Sequence, residues 1–204
     1  MPPELPAAGR RFVLGISGAS GAMYALRLLE RMLALGAEVH LVVTEHGRRL
    51  LFAEAGVTHV EFGALCTGLS DAAAAPRLII HPNKDVGALI ASGSFLHHGM
   101  VVMPCSGASL GAIATGSGSN LLTRAAMVTL KERRPLILGH RETPLSLIDI
   151  ENMRQVTLAG GIVCPTNPGW YLKPASLEDL ADFMVGKVLD LLGVEHALPT
   201  RWEG

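Results

Sequence analysis

Four stretches of this 204-residue chain carry residue types and spacings suited to chemistry. The first is Gly15-Ile16-Ser17-Gly18-Ala19-Ser20-Gly21. Its small residues let the backbone approach a ligand, and free N–H groups at the start of a following helix favour an anion. The order is not GxGxxG, and a tight strand–helix turn explains the same residues without any ligand. Glu45 follows the next predicted strand, where an NAD enzyme places its ribose-binding carboxylate, so a nicotinamide reading stays open. The second stretch pairs Ser92-Gly93-Ser94-Phe95 with Met103-Pro104-Cys105-Ser106-Gly107-Ala108-Ser109. Ser106 is placed at a helix N-terminus, as a phosphate holder or as an ordinary N-cap. Cys105 has no thiolate-activating partner nearby in sequence and is expected to be a packed thiol. The third runs from Leu122-Thr123-Arg124-Ala125-Ala126 through Leu130-Lys131-Glu132-Arg133-Arg134 to His140-Arg141-Glu142. Its Lys/Arg cluster suits a solvated helix end, but Arg141-Glu142 directly follows an apolar strand. A guanidinium there suits a phosphate, and the carboxylate beside it can move protons. The fourth, Pro165-Thr166-Asn167-Pro168-Gly169-Trp170-Tyr171, is a rigid loop ending in two aromatics. It is either a packed turn or a wall for a flat or greasy ligand, with the Tyr171 hydroxyl free for a polar end.

Composition removes several other classes. The formal net charge is −1, which argues against non-specific binding to nucleic acid. No stretch reaches 18 uninterrupted apolar residues, so no membrane span is expected. The 8 histidines show neither HxH nor HExxH spacing, and no metal site is expected. Three cysteines without CxxC spacing exclude a disulfide scaffold or zinc ribbon and fit a reducing compartment. With 49% hydrophobic residues and a mean hydropathy of +0.36, the chain is expected to bury surface between subunits. Arg10-Arg11 before an apolar stretch loosely matches a twin-arginine leader, but a strand, glycine turn and amphipathic helix explain the segment better.

The elements that must position these stretches follow from periodicity. Residues 1–9 are Pro/Ala-rich and are expected to be a loose tail, leaving 10–204 as one domain. Strands are predicted at Arg11–Ile16, Val39–Val43, Val86–Ala91, Met100–Met103, Pro135–Leu138 and Gly161–Cys164. Helices are predicted at Ala22–Leu35, about 46 to Ala55, Gly107–Ala114, Leu121–Lys131 and Leu145–Ala159. The first carries a stripe of Ala22, Leu26, Leu29 and Leu33. Ser176 and Asp179 form a capping box before a final helix striped with Leu177, Leu180, Met184, Val188 and Leu191. Residues 56–86 are irregular. Alternating strands and helices predict an α/β fold with a mostly parallel sheet, helices on both faces and ligands beyond the strand C-termini.

Taken together, these segments resemble the UbiX family of flavin prenyltransferases, part of a flavoprotein group that also holds flavin-dependent cysteine decarboxylases. The resemblance rests on GISGASG at 15–21, ASGSF at 91–95, PCS at 104–106, LLTRAA at 121–126 and LKERR at 130–134. It continues through RETPL at 141–145, ENM at 151–153, PGWY at 168–171 and RWEG at 201–204, in the family's order. The resemblance implies a Rossmann-like three-layer sandwich that binds FMN and assembles into a homo-oligomer, typically a dodecamer. It implies transfer of a dimethylallyl group from dimethylallyl phosphate to reduced FMN, without metal. The prenylated FMN then passes to a UbiD-type decarboxylase, and the setting is cytoplasmic. A non-catalytic flavin-binding or carrier paralogue is the alternative.

Carried over residue by residue, the resemblance implies FMN contacts from Gly18, Ala19, Ser20, Thr44, Ser106, Gly107, Ala108, Ser109, Arg124 and Arg141. It implies proton handling by Ser20, Glu54 and Glu142. Lys131, Tyr171 and Lys187 match groups around the prenyl-donor phosphate, and Trp202 matches a C-terminal aromatic. Lys187 stands where Arg is frequent, Met127 where Asp is usual and Asp149 where His is common. Glu45-His46-Gly47 replaces Lys-Ala-Ala, and Thr166-Asn167 replaces smaller apolar residues.

Overall fold

The computed structural model describes residues 5–69 and 72–200. Near-continuous apolar runs become its central strands, because a parallel strand covered on both faces has no solvent side. β1 (Arg11–Ile16) and β4 (Met100–Cys105) are buried along almost their whole length. β2 (Glu38–Val43) and β5 (Leu136–His140) flank them. β3 (Leu78–Pro82) and β6 (Ile162–Val163) are the two edges. The order is β3-β2-β1-β4-β5-β6, and every pairing is parallel. The strand order reverses between β1 and β4, which opens a crevice at their C-terminal ends.

Helices cover both faces. One side carries α1 (Ala22–Ala34), α2 (Glu45–Ala55), the one-turn α3 (Phe62–Leu65) and α7 (Leu177–Leu191). The other carries α4 (Gly107–Ala114), α5 (Leu121–Lys131) and α6 (Leu147–Leu158). Gly21 starts α1 at φ 125°, a conformation open to glycine and strained for other residues. The buried stripe of α1 is Ala22, Ala25, Leu28, Leu29, Met32 and Leu33, so Leu26 falls at its margin. Ser176 and Asp179 form both halves of the expected capping box on α7.

Two expectations fail. Val86–Ala91 is not a strand: Leu89–Ala91 is a 3-10 turn, and Val86 and Leu89 are exposed. The missing edge strand is β3, inside the stretch expected to be irregular. The described part of the N-terminal segment is also not loose. Leu5 bridges to Val194, Ala7 is buried, and Gly9 donates to the Gly36 carbonyl at 3.4 Å. Leu5 is held through its backbone to Gly193 and Glu195 after α7, and Ala7 joins the core, which a count of Pro and Ala does not reveal.

Candidate active site

The crevice is built on hydroxyls. After β1, buried Ser17 donates to the Pro104 carbonyl at 3.0 Å and accepts the Ser106 N–H at 2.8 Å. This cross-link joins the two strands at the point where the strand order reverses. Ser106 is the N-cap of α4, and its Oγ accepts the Ser109 N–H at 3.3 Å. Thr44 caps α2 in the same way, accepting from Gly47 at 3.0 Å, and Asn120 caps α5, accepting from Thr123 at 3.1 Å. All three N-caps line one cavity of about 450 Å³, together with Gly18, Asn83 and Ser109. Three helix N-termini therefore point their positive ends at one space. Gly18 allows this close approach, since a Cβ there would run into the Cβ of His46 at the start of α2.

A second cluster sits at the start of α1. The Glu54 carboxylate accepts the N–H groups of Gly21 at 2.9 Å and Ala22 at 2.8 Å. Burial alone would push this carboxyl up. Hydrogen bonds from the Ser20 side chain and from the Ala22 and Gly21 amides, with Arg141 nearby, hold it below the usual range. Arg141 closes the cluster by donating from Nε to the Ser20 carbonyl at 3.2 Å. Glu142 follows at the end of β5, with its Oε1 accepting the Thr143 N–H at 3.1 Å. Arg141 and Glu142 line a second cavity of about 430 Å³ with His140, Thr166, Asn167 and Met153.

The structure gathers most of the expected residues and separates others. Gly18, Thr44, Ser106, Ala108 and Ser109 line the first cavity. Ala19 is buried in the turn below it, and Gly107, the first residue of α4, is not among the lining residues. Arg124 is exposed on α5, one residue past the cavity-lining Thr123. Ser20, Glu54 and Arg141 form one cluster. Tyr171 packs against Phe183, one helical turn before Lys187 on α7, and both border the C-terminal segment. The Tyr171 hydroxyl donates to the Thr200 carbonyl at 3.3 Å, and a Cβ at Gly186, next to Lys187, would collide with the Thr200 side chain. Lys131 stands apart from both. It ends α5, pairs with Glu132 at 3.0 Å and lies beside Gly93. An 11-residue helix places it about 16 Å from Asn120. Trp202 lies outside the described residues.

Sequence reasoning passed over Ser17, Asn83 and Asn120. Asn120 carries a legible signal, since Asn is a preferred N-cap just before an apolar helical run. Asn83 follows the unrecognised β3, and its side chain accepts the Leu122 N–H at 3.1 Å. Cys105 is fully buried, and burial pushes its thiol up to about 12, so it holds its proton as a packed thiol. Among the described residues no helix is long and apolar enough to cross a membrane.

The donor set of the first cavity fits a phosphorylated cofactor. Among the described residues its lining offers three converging helix starts with Ser, Thr and Asn side chains, with Glu45 and His46 beside them and no Lys or Arg. Helix termini of this kind bind phosphate without a side-chain cation.

Comparison with known proteins agrees with this geometry. The family model described as Flavoprotein matches residues 3–189. A flavin prenyltransferase UbiX of Halalkalibacterium halodurans is 44% identical over 191 residues, covering 94% of this chain and 92% of that protein. The crystal structure of AnUbiX (PadA1) in complex with FMN and dimethylallyl pyrophosphate superposes with a TM-score of 0.83 at 38% identity, covering 96% of this chain and 98% of the other. A dodecameric FMN-dependent UbiX-like decarboxylase from Escherichia coli O157:H7 gives a TM-score of 0.85 at 34% identity, covering 95% and 100%. The chain belongs to the flavoprotein family and, within it, to the UbiX flavin prenyltransferases.

Proposed function

We propose that this protein transfers a dimethylallyl group from dimethylallyl phosphate to reduced FMN, and that the prenylated FMN serves a UbiD-type decarboxylase. The observation that carries the reading is the convergence of three capped helix N-termini at the β1/β4 crevice, beside the Ser20–Glu54–Arg141 cluster. Bound reduced FMN supplies the nucleophilic ring positions, and its phosphate matches the cavity of N-caps. Ser106, Ser109 and Thr44 grip that phosphate with hydroxyl and backbone donors. Arg141 fixes the position of the Ser20 turn through its carbonyl. The Glu54 carboxylate holds the Ser20 side chain and the first amides of α1 in place. Glu142 takes up the proton that must leave when the second bond to the ring forms, as a positioned carboxylate does.

The donor side uses the cations and aromatics. Lys187 neutralises charge on the departing phosphate. The face of Tyr171 shelters the apolar, cation-like allylic group. Lys131 is too far along α5 to serve the same chain's cavity, so we assign it to the site of a neighbouring copy. That assignment fits assembly into a homo-oligomer, for which the dodecameric relative is the precedent. Exposed Leu147, Ile148, Ile150 and Leu158 on α6 supply apolar surface for such contacts. Three free thiols suit a reducing cytoplasm.

The test is mass spectrometry of the flavin after anaerobic incubation of the protein with reduced FMN and dimethylallyl phosphate. A flavin heavier by one dimethylallyl unit is expected. Recovery of unmodified FMN, tightly bound, would show a flavin carrier instead.

A further inference from the structure

The last described segment, Val194–Thr200, forms a strap across α7. Its start is fixed by main-chain bonds. Leu5 N–H donates to Gly193 at 3.1 Å and Glu195 N–H to Leu5 at 3.1 Å, while Arg10 holds the carbonyls of Gly193 and Leu192 at 2.9 and 3.0 Å. Its far end lies on Gly186, where only a missing side chain leaves room for Thr200. Between these points lies a cavity of about 390 Å³, lined partly by Arg31, Leu35, Asp182 and Leu189. In the middle of the strap Leu198 packs partly against the core, and a buried polar contact ties the segment to α7.

That contact is His196 with Asp190. The Nδ1 of His196 accepts the Leu198 N–H at 3.1 Å, so the ring proton sits on Nε2 and is donated to Asp190 Oδ1 at 3.0 Å. Both side chains are almost fully buried, at 3% and 6% exposure. A buried carboxylate in the last turn of a helix is doubly unfavourable, since it loses water and faces the negative end of the helix dipole. Asp190 is held there by what it binds. Its second oxygen lies 3.8 Å from the ammonium of Lys187. One carboxylate thus joins the strap to the donor-side cation, and the strap's end accepts the hydroxyl of Tyr171.

We propose that His196 and Asp190 are positioning residues for the prenyl-donor phosphate: the latch holds the strap so that Tyr171 and Lys187 face the donor together. This rests on the reading of Tyr171 and Lys187 as the donor side of a flavin prenyltransferase. The latch touches no reacting atom and acts only through those two side chains. Releasing it loosens the segment that carries the Thr200 carbonyl, and so weakens one of the contacts that orient Tyr171, whose ring lies 5.6 Å from that of Phe183.

The experiment uses FMN-loaded protein and dimethylallyl phosphate, with calorimetric titration of the donor, a separate FMN titration and the KM and kcat of flavin prenylation. His196→Ala opens the latch. Gly186→Ala pushes Thr200 away and crowds the His196 ring, so it disturbs the strap from the helix side if the first variant folds poorly. His196→Gln restores a donor near the position of Nε2. We expect the two disruptive variants to weaken donor binding and raise its KM by about tenfold, leaving FMN affinity unchanged and kcat much less affected. His196→Gln should recover most of the loss. Wild-type donor affinity in both disruptive variants, with Lys187→Ala still weakened, overturns the latch and spares the functional reading. Loss of FMN and donor affinity in parallel overturns it too, because that is general damage to the fold. A wild-type protein that binds FMN but not the prenyl phosphate overturns both.

Discussion

Arg141 reaches from the end of β5 to the carbonyl of Ser20, 3.2 Å from its Nε, and so ties the β5 terminus to the turn that opens α1. Two segments 121 residues apart in sequence meet at this bond. The guanidinium does not merely wait for an anion, because it also sets the shape of the floor on which a flavin would rest.

Ser106→Ala and Arg141→Ala should therefore weaken FMN by different routes. The first removes a hydroxyl from the N-cap of α4, and the second removes a charge and a turn anchor. Each should cost about 1.5 kcal/mol of binding, more than a tenfold change in Kd. Fluorescence titration of FMN checks this. A double variant that binds as tightly as wild type would exclude the crevice as the flavin site.

Glu142→Gln should separate binding from chemistry. The amide keeps the size of the side chain but cannot accept a proton. Turnover should fall by about two to four orders of magnitude while FMN affinity stays nearly constant. Single-turnover prenylation measures it, and a wild-type rate would remove Glu142 from the proton path.

Lys131 and Arg141 belong to separate ends of the molecule, so their defects should complement. Lys131→Ala and Arg141→Ala proteins, each impaired at limiting FMN and donor, should regain part of the wild-type activity when dissociated and reassembled together. Some mixed sites then carry both native side chains. Activity that stays at the level of the separate variants would place Lys131 outside any shared site.

Glu54 predicts a pH signature in stability. Its burial raises the pKa, but Ser20 and the α1 amides outweigh that and lower it below the ordinary 4.5. A carboxyl lowered on folding stabilises the protein fully above its unfolded-state value, and loses that contribution as pH falls through its folded value. Glu54→Gln should cost about 0.5 kcal/mol near neutral pH, the scale of a partly exposed charge at a helix start. The gap should shrink below pH 4.5. Thermal unfolding of both proteins across that range decides, and a gap that grows on acidification contradicts the assignment.

The fold was legible where periodicity was long. α1 and α7 announce themselves through apolar stripes, and Ser176 and Asp179 mark the start of α7. Short elements were not. β3 offers only Leu78, Ile79 and Ile80 before His81 and Pro82, too few residues to show a period. Missing β3 also hid Asn83, which depends on it for its place. Ser106 was readable as a cap because it follows an apolar strand, whereas Thr44, which caps α2 in the same way, was marked only by the family resemblance. The position of Lys131 was not readable. A linear motif says which residues occur together, but not which end of a helix faces the crevice.

The sheet ends in two poor docking rails. β6 is a two-residue strand soon followed by Pro165, and β3 stops at Pro82. An unpaired strand edge recruits another strand unless it is short or interrupted by proline, and this molecule does both. Growth by adding strands, the route to open-ended fibres, is therefore discouraged at either side. Copies must meet through helices and loops instead, whose contacts can close into a finite shell.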